Sequence, residues 1–305
     1  MVIKIHTPVL FLIFNRLDTT QHVFQAIRKA QPPRLYIAAD GPRKHKPGEA
    51  EKSQEVRDYV LNHIDWDCEV NTLFRENNLG CKYAVSGGID WFFDNEEMGI
   101  ILEDDVVPDL SFFQFCEVLL DRYKDDEKIM TISGNNFQPK KRSEYSYYFS
   151  KYMHCWGWAS WRKAWKHFDV EMKNWPKYKR NNWLSGLLPR KHSRQYWENI
   201  FDRVYKGEID SWAYIWTYSI WIQRGINILP EVNLVSNIGF GNDATHTKSI
   251  DSSSANLRTK RVEFPLQHPN MIATNDKADK YTQLHHFQKP LYWRVIKKLQ
   301  RELLS

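Results

Sequence analysis

Short apolar runs alternate with amphipathic stretches through the first third of the chain. Residues 9–14 are continuously apolar between Pro8 and the polar pair Asn15-Arg16, which predicts a strand. Asp18, Thr19 and Thr20 then offer capping side chains ahead of Val23, Phe24 and Ile27, whose spacing predicts a helix. The same alternation repeats. A strand over residues 35–39 ends at Asp40-Gly41, and a helix over residues 47–64 carries Val56, Val60, Leu61 and Ile64 on one side. A short strand at 70–74 follows, then a helix after Gly80 marked by Tyr83, Val85, Ile89, Trp91 and Phe92, then a strand at 99–102. Strands alternating with helices predict the α/β class, with a mostly parallel, Rossmann-like sheet flanked by helices and right-handed crossovers.

After about residue 130 the pattern loosens into a less regular portion. Residues 129–133, 226–229 and 232–235 read as strands, and residues 145–153 alternate weakly through an aromatic run. Trp156-Gly157-Trp158 is read as a turn leading into a helix that ends near His167, and residues 172–192 as a mobile basic excursion. Helical spacing returns over 194–205 and 211–223, and residues 242–260 form a polar loop with the composition of a lid. No linker divides residues 1–270, which are expected to be one domain with halves at 1–135 and 136–270. Residues 271–305 are expected to be a tail carrying a basic amphipathic helix at 290–304. That helix either packs on the domain or lies in a membrane surface.

The chemistry concentrates where the fourth strand ends. Residues 98–110 run from an apolar strand directly into Glu103, Asp104 and Asp105. Three adjacent carboxylates cannot all be desolvated, so they face water, a cation or each other. A hard divalent ion resolves the repulsion, because Mg²⁺ and Mn²⁺ take carboxylate oxygen together with phosphate and water. The carboxyl ends of parallel strands are also the usual ligand crevice of an open α/β sheet.

Composition narrows the field only slightly. Among 305 residues there are 13 tryptophans, which fits either an aromatic core or indole platforms for sugar rings. The net charge of +6 suits anionic partners without choosing among them. Cys68, Cys81, Cys116 and Cys155 have no metal-ligand spacing and read as free thiols of a reducing compartment. The first residues lack the apolar run of a signal peptide, and no stretch reaches about 18 apolar residues, so a cytoplasmic protein is expected, with peripheral contact at the inner membrane face through residues 290–304.

Taken in order, these pieces resemble the nucleotide-sugar-dependent glycosyltransferases of the GT-A fold, and within them the N-acetylglucosaminyltransferase I family. The likeness runs over roughly residues 8–240. It rests on Asn15-Arg16, Asp40-Gly41, Glu103-Asp104-Asp105 with Pro108-Asp109, Trp156-Gly157-Trp158, Asp210-Ser211-Trp212, and the segment from Pro230-Glu231 to Gly239-Phe240. The resemblance implies that Asp105 holds Mn²⁺ or Mg²⁺, Asp104 faces the ribose and Glu103 the donor sugar. It implies Asp40 at the uracil edge, with Arg16 and Lys82 near the nucleotide, and Asp210 as general base of an inverting transfer. The first half then binds the nucleotide sugar and the second the acceptor, a glycan or lipid-linked hydroxyl.

Each assignment has a plainer counterpart: Asp210 as a helix N-cap, Asp40 as a turn residue, Arg16 and Lys82 as solvated surface. Trp156, Gly157, Trp158 and Trp212 read as a sugar platform or as core, and His246 as a second metal ligand or an uninvolved loop residue. The family's uracil-pocket histidine is replaced near Gly80. A metal-dependent nucleotidyltransferase or pyrophosphatase, or a module binding anionic surfaces without catalysis, would share the acids or the charge. The missing phosphate-binding glycine loop and the scattered basic runs disfavour both, and no nucleic-acid motif is present.

Overall fold

The computed structural model describes residues 4–240 and 256–288. Strand β1 (Val9–Ile13) leads into α1 (Leu17–Ala30), followed by β2 (Arg34–Ala39), α2 (Glu49–Asn62), β3 (Glu69–Phe74), α3 (Gly80–Asn95) and β4 (Met98–Glu103). These are the elements that apolar spacing predicts. Next come β5 (Val106–Pro108), α4 (Leu110–Arg122), β6 (Ile129–Ser133), β7 (Tyr147–Ser150), β8 (Trp158–Trp161), α5 (Arg162–Trp165) and α6 (Trp175–Arg180). A 3₁₀ turn at Trp183–Gly186 precedes α7 (Lys191–Tyr205), α8 (Trp212–Ile222), β9 (Ile226–Pro230), β10 (Val235–Asn237) and α9 (Asp276–Tyr281), which runs into a π-helical turn at Thr282–Phe287.

Eight strands form one sheet in the order β3-β2-β1-β4-β8-β6-β9-β7, in which β8 and β7 run against the rest. β5 and β10 form a separate antiparallel pair. The class is α/β, with a mostly parallel sheet between two helical layers. Alternate residues of the strands feed opposite faces: Val9, Phe11 and Ile13 pack with Phe24, Ile27, Val56 and Phe112, whereas Leu10 and Leu12 pack with Ile89, Phe92 and Phe93.

Three sequence expectations change here. β8 lies in mid-sheet between β4 and β6 where a turn and helix were expected; four residues buried on both faces are too few to show a period of two. Pro108 ends the short strand β5, and Asp109 caps the unanticipated α4 by accepting the Ser111 N–H at 2.9 Å. Residues 172–192 form short helical turns docked on the domain instead of an irregular excursion. Met172, Trp175, Leu184 and Leu188 are buried, and the Trp175 indole donates to Asp202 of α7 at 2.9 Å.

Most of the tryptophans are core. Trp158, Trp165, Trp175, Trp197, Trp212, Trp216 and Trp221 are buried in one apolar cluster between the sheet and α3, α5, α7 and α8. The four cysteines are free thiols. No helix among the described residues is long and apolar enough to cross a membrane.

Helix α9 is tied to the end of β7 by Asp279, which is buried and accepts from Ser150 Oγ at 2.5 Å. Burial pushes its carboxyl up to about 6, against the opposing pull of Ser150 and Lys151. The folded value lies above the unfolded one, so stability from this group is full below about pH 4 and is lost as pH rises through about 6. Asp279→Asn is therefore expected to flatten a decline of about 3 kcal/mol in unfolding free energy between about pH 4 and pH 7, read from urea melts. An unchanged slope would put the titration elsewhere.

Candidate active site

Register in the parallel half of the sheet sets the site. Leu12 lies opposite Glu103 and Ile13 opposite Ala39, so the segments that follow β1, β2 and β4 emerge along one edge. That edge carries Asn15-Arg16, Asp40-Gly41 and the three acids. Glu103 ends β4, and Asp104 and Asp105 make the turn into β5. β10 fixes this turn from the other side: Asn237 pairs with Val106, and the Ile238 N–H donates to the Asp105 carbonyl at 2.8 Å. Close approach also explains Gly239, where an added Cβ would fall 1.9 Å from Asp105 Oδ2.

Arg16 Nη2 donates to Asp104 Oδ1 at 2.6 Å and to Asp105 Oδ2 at 2.8 Å, so two carboxylates converge on one nitrogen. Burial works to lower the guanidinium's pKa, but Asp104 and Asp105 together hold it above its usual value. Glu103 is raised above the ordinary carboxylate range by burial first, then by Asp105 and Asp104. Asp104 is raised as well, burial outweighing the pull of Arg16. Its second oxygen, Oδ2, is buried without a partner. The concentrated negative charge, the orphaned oxygen and the all-oxygen donor set fit a hard divalent cation. Among the described residues no three His, Cys, Asp or Glu side chains form a complete cage, so a cation held here needs oxygens from its ligand as well.

Two cavities meet at the acids. The first, of 730 Å³, is walled by Phe14, Arg16, Asp40, Arg43, Arg75 and Asp104. The second, of 540 Å³, is walled by Asp105, Phe137, Trp156, Trp212, Tyr214 and Phe240. Arg16, Cys81 and Glu103 line both.

The amino end of α3 closes the first cavity, and two carboxylates cap it. Asp40 accepts from the Leu79 N–H at 3.0 Å, the Gly80 N–H at 3.1 Å and Asn78 Nδ2 at 2.9 Å. Burial raises its pKa against these hydrogen bonds. Asp210 reaches across from the loop before α8 and accepts the Cys81 N–H at 3.1 Å and the Lys82 N–H at 2.9 Å. Gly80, with φ of +78°, leaves room for it: a Cβ there would stand 3.2 Å from Asp210 Oδ2. Asp210 thus caps α3, while Ser211 holds the N-cap position of α8.

Arg16, Asp40, Glu103, Asp104 and Asp210 therefore share the first cavity, and Arg16, Glu103, Asp105, Trp156 and Trp212 the second. Three expected residues do not join them. The Lys82 ammonium lies 4.2 Å from the Tyr83 ring centroid, and Lys82 lines neither cavity. Trp158 is no platform: only 1% exposed and stacked on Trp212 in the core, it is a β8 residue covered on both sides. Gly157, with φ of +59°, bridges segments by accepting the Gly134 N–H at 2.7 Å. His246 and residues 290–304 lie outside the described residues.

Sequence reading missed Arg43 and Arg75 on the first cavity and Asn135, Phe137, His154 and Phe240 on the second. Asn135 left a trace, as a polar pair with Asn136 one residue beyond an apolar strand.

No family model matches the chain, and no curated protein does. Solved structures are similar to parts of the chain at low identity. GalNAc-T7, crystallised with UDP, GalNAc and Mn²⁺, is 12% identical with a TM-score of 0.45 over 74% of this chain and 42% of that one. TarS from S. aureus is 9% identical with a TM-score of 0.37 over 52% of this chain and 48% of that one. The mannosyltransferase PcManGT from Pyrobaculum calidifontis, in complex with GDP-Man and Mn²⁺, is 11% identical with a TM-score of 0.34 over 54% and 48%. The chain spans less than half the length of each.

Proposed function

We propose that this chain is a metal-dependent glycosyltransferase of the GT-A type that moves a sugar from a nucleotide diphosphate to a hydroxyl of a glycan or lipid-linked acceptor. The carrying observation is the acid turn at the junction of two cavities, one with arginines for an anionic nucleotide and one with aromatic walls for a sugar. A donor laid across the junction puts its diphosphate beside Asp104, Asp105 and Arg16 and its sugar beyond Glu103. A UDP-sugar is the favoured donor and UDP-GlcNAc the first to try.

Asp105, with Asp104 behind it, would hold Mn²⁺ or Mg²⁺. Such a cation neutralises charge on the departing diphosphate, so no protonated acid is required at the leaving oxygen. The chain must still supply a base. Asp210 keeps unused lone pairs beside those engaged by α3; it lines the first cavity, and the next two residues, Ser211 and Trp212, line the second. There it would take the acceptor hydroxyl's proton as that oxygen attacks the anomeric carbon from the face opposite the diphosphate, giving inversion. A carboxylate is a weak base toward an alcohol, so proton transfer accompanies attack. Asp40, whose oxygens are occupied by the amino end of α3 and its flanking residues, supports the nucleotide wall. The amphipathic segment 290–304 remains our candidate for peripheral membrane contact.

A thermal-shift panel of UDP, GDP, CMP and dTDP sugars, with and without Mn²⁺, tests the reading. At ligand about 100-fold above Kd, binding adds about 2.7 kcal/mol, enough to move the melting temperature by degrees. Stabilisation by one nucleotide class only with Mn²⁺ is expected. Stabilisation by none overturns the proposal, and release of nucleoside monophosphate in place of diphosphate identifies a pyrophosphatase.

A further inference from the structure

Asn135 lies one residue beyond the end of β6 and has no exposed surface, yet neither its amide nitrogen nor its carbonyl oxygen has a partner. His154, 4% exposed, has an unpartnered Nε2. Both line the 540 Å³ cavity, as do Glu103 and Asp105. The other buried orphans among the described residues, apart from Asp104 Oδ2 at the acid turn, line neither cavity.

Looseness does not explain them. The neighbouring Asn136 is fully used: its N–H donates to Asn233 Oδ1 at 3.0 Å, its Nδ2 to the Pro230 and Glu231 carbonyls at 2.8 and 3.0 Å, and its Oδ1 accepts the Gln138 N–H at 2.7 Å. On the other side the Gly134 N–H donates to the Gly157 carbonyl and the Gly134 carbonyl accepts the Leu234 N–H. His154 is anchored through its own N–H, which donates to Ser133 Oγ at 3.1 Å, and its ring is held edge-to-face on Phe137 with centroids 4.7 Å apart. Burial, then His286, keeps the imidazole neutral. Two uncharged side chains, set between hydrogen-bonded neighbours, thus carry unspent hydrogen-bonding capacity on a wall shared with Phe137, Met153 and Phe287. Each orphaned group carries a desolvation cost that a ligand with matching polarity removes.

We infer that Asn135 and His154 select the donor sugar by hydrogen bonding to a ring substituent that both donates and accepts, either an acetamido group or a hydroxyl. This rests on the glycosyltransferase reading. The acids on the cavity wall hold the diphosphate end, and the aromatic and thioether side chains cover the apolar face of the sugar ring. Asn135 supplies both a donor and an acceptor, and the neutral His154 supplies one more group of either kind.

Calorimetric titration with Mn²⁺ separates the possibilities, using UDP, a UDP-hexose and a UDP-N-acetylhexosamine on wild type, Asn135→Ala, the shape-conserving Asn135→Leu and His154→Ala. Wild type is expected to prefer one of the two sugars by about 10-fold or more. Asn135→Ala or Asn135→Leu, whichever folds, should bring the ratio close to one and leave UDP affinity unchanged, and His154→Ala should reduce the ratio partway. A preferred hexose identifies a hydroxyl as the group read, and a preferred N-acetylhexosamine the acetamido. A ratio that survives in both Asn135 variants, or equal binding of both sugars by wild type, overturns the inference while UDP binding still supports the donor site. Absence of UDP binding in wild type overturns both.

Discussion

Asp210→Asn is expected to bind the nucleotide sugar with near wild-type affinity and to transfer it about 10²- to 10⁴-fold more slowly, the usual loss when a general base is removed. The substitution also touches structure, because Asp210 caps α3 through the Cys81 and Lys82 N–H groups. An asparagine keeps one acceptor oxygen and forfeits the charge at the positive end of the helix, so stability should fall by only about 1 kcal/mol. The two roles predict different pairs of measurements. A base gives a collapse in kcat with a small change in melting temperature; a cap alone gives the small change in melting temperature with transfer retained. Single-turnover transfer measured beside thermal melts decides between them, and near wild-type transfer would remove Asp210 from the chemistry.

The parallel half of the sheet was legible because each of its strands is a short apolar run flanked by helices with clear spacing, and the acids stand directly after the last of these runs. The second half was harder to read for physical reasons. β8 is four residues long and buried on both faces, so Trp158–Trp161 shows no alternation, and its tryptophans invite a platform reading that the core claims instead. The segment around Trp175 reads as basic surface because its few buried residues, Met172, Trp175, Leu184 and Leu188, are scattered among lysines and arginines. Capping across the sequence was invisible too. Asp210 lies 128 residues from the Lys82 N–H that it accepts, and local rules direct it only to the helix that follows. Asn135 and His154 carry no motif, and what distinguishes them is the absence of partners in a cavity wall.

Asp105→Ala is expected to abolish metal-dependent turnover, costing several kcal/mol of transition-state stabilisation, or about 10²-fold or more in rate, and to make UDP binding indifferent to Mn²⁺. Stability should change little, because Arg16 keeps its 2.6 Å bond to Asp104. The neighbouring acids should fail differently. Glu103→Gln removes a carboxylate that burial and its neighbours already disfavour, so metal dependence should persist while sugar preference weakens. Asp104→Ala strips Arg16 of its more buried partner but leaves the 2.8 Å bond to Asp105, so the fold should lose about 1 kcal/mol. Gly239→Ala provides a control that leaves every carboxylate in place. Its Cβ would lie 1.9 Å from Asp105 Oδ2, so the side chain or the β10 segment must shift, and the variant should reproduce the Asp105→Ala loss. Titration of UDP binding against Mn²⁺ in the four variants provides the readout: if Asp105→Ala retains the wild-type metal response, the cation is held elsewhere and the acid turn is only the anchor of Arg16.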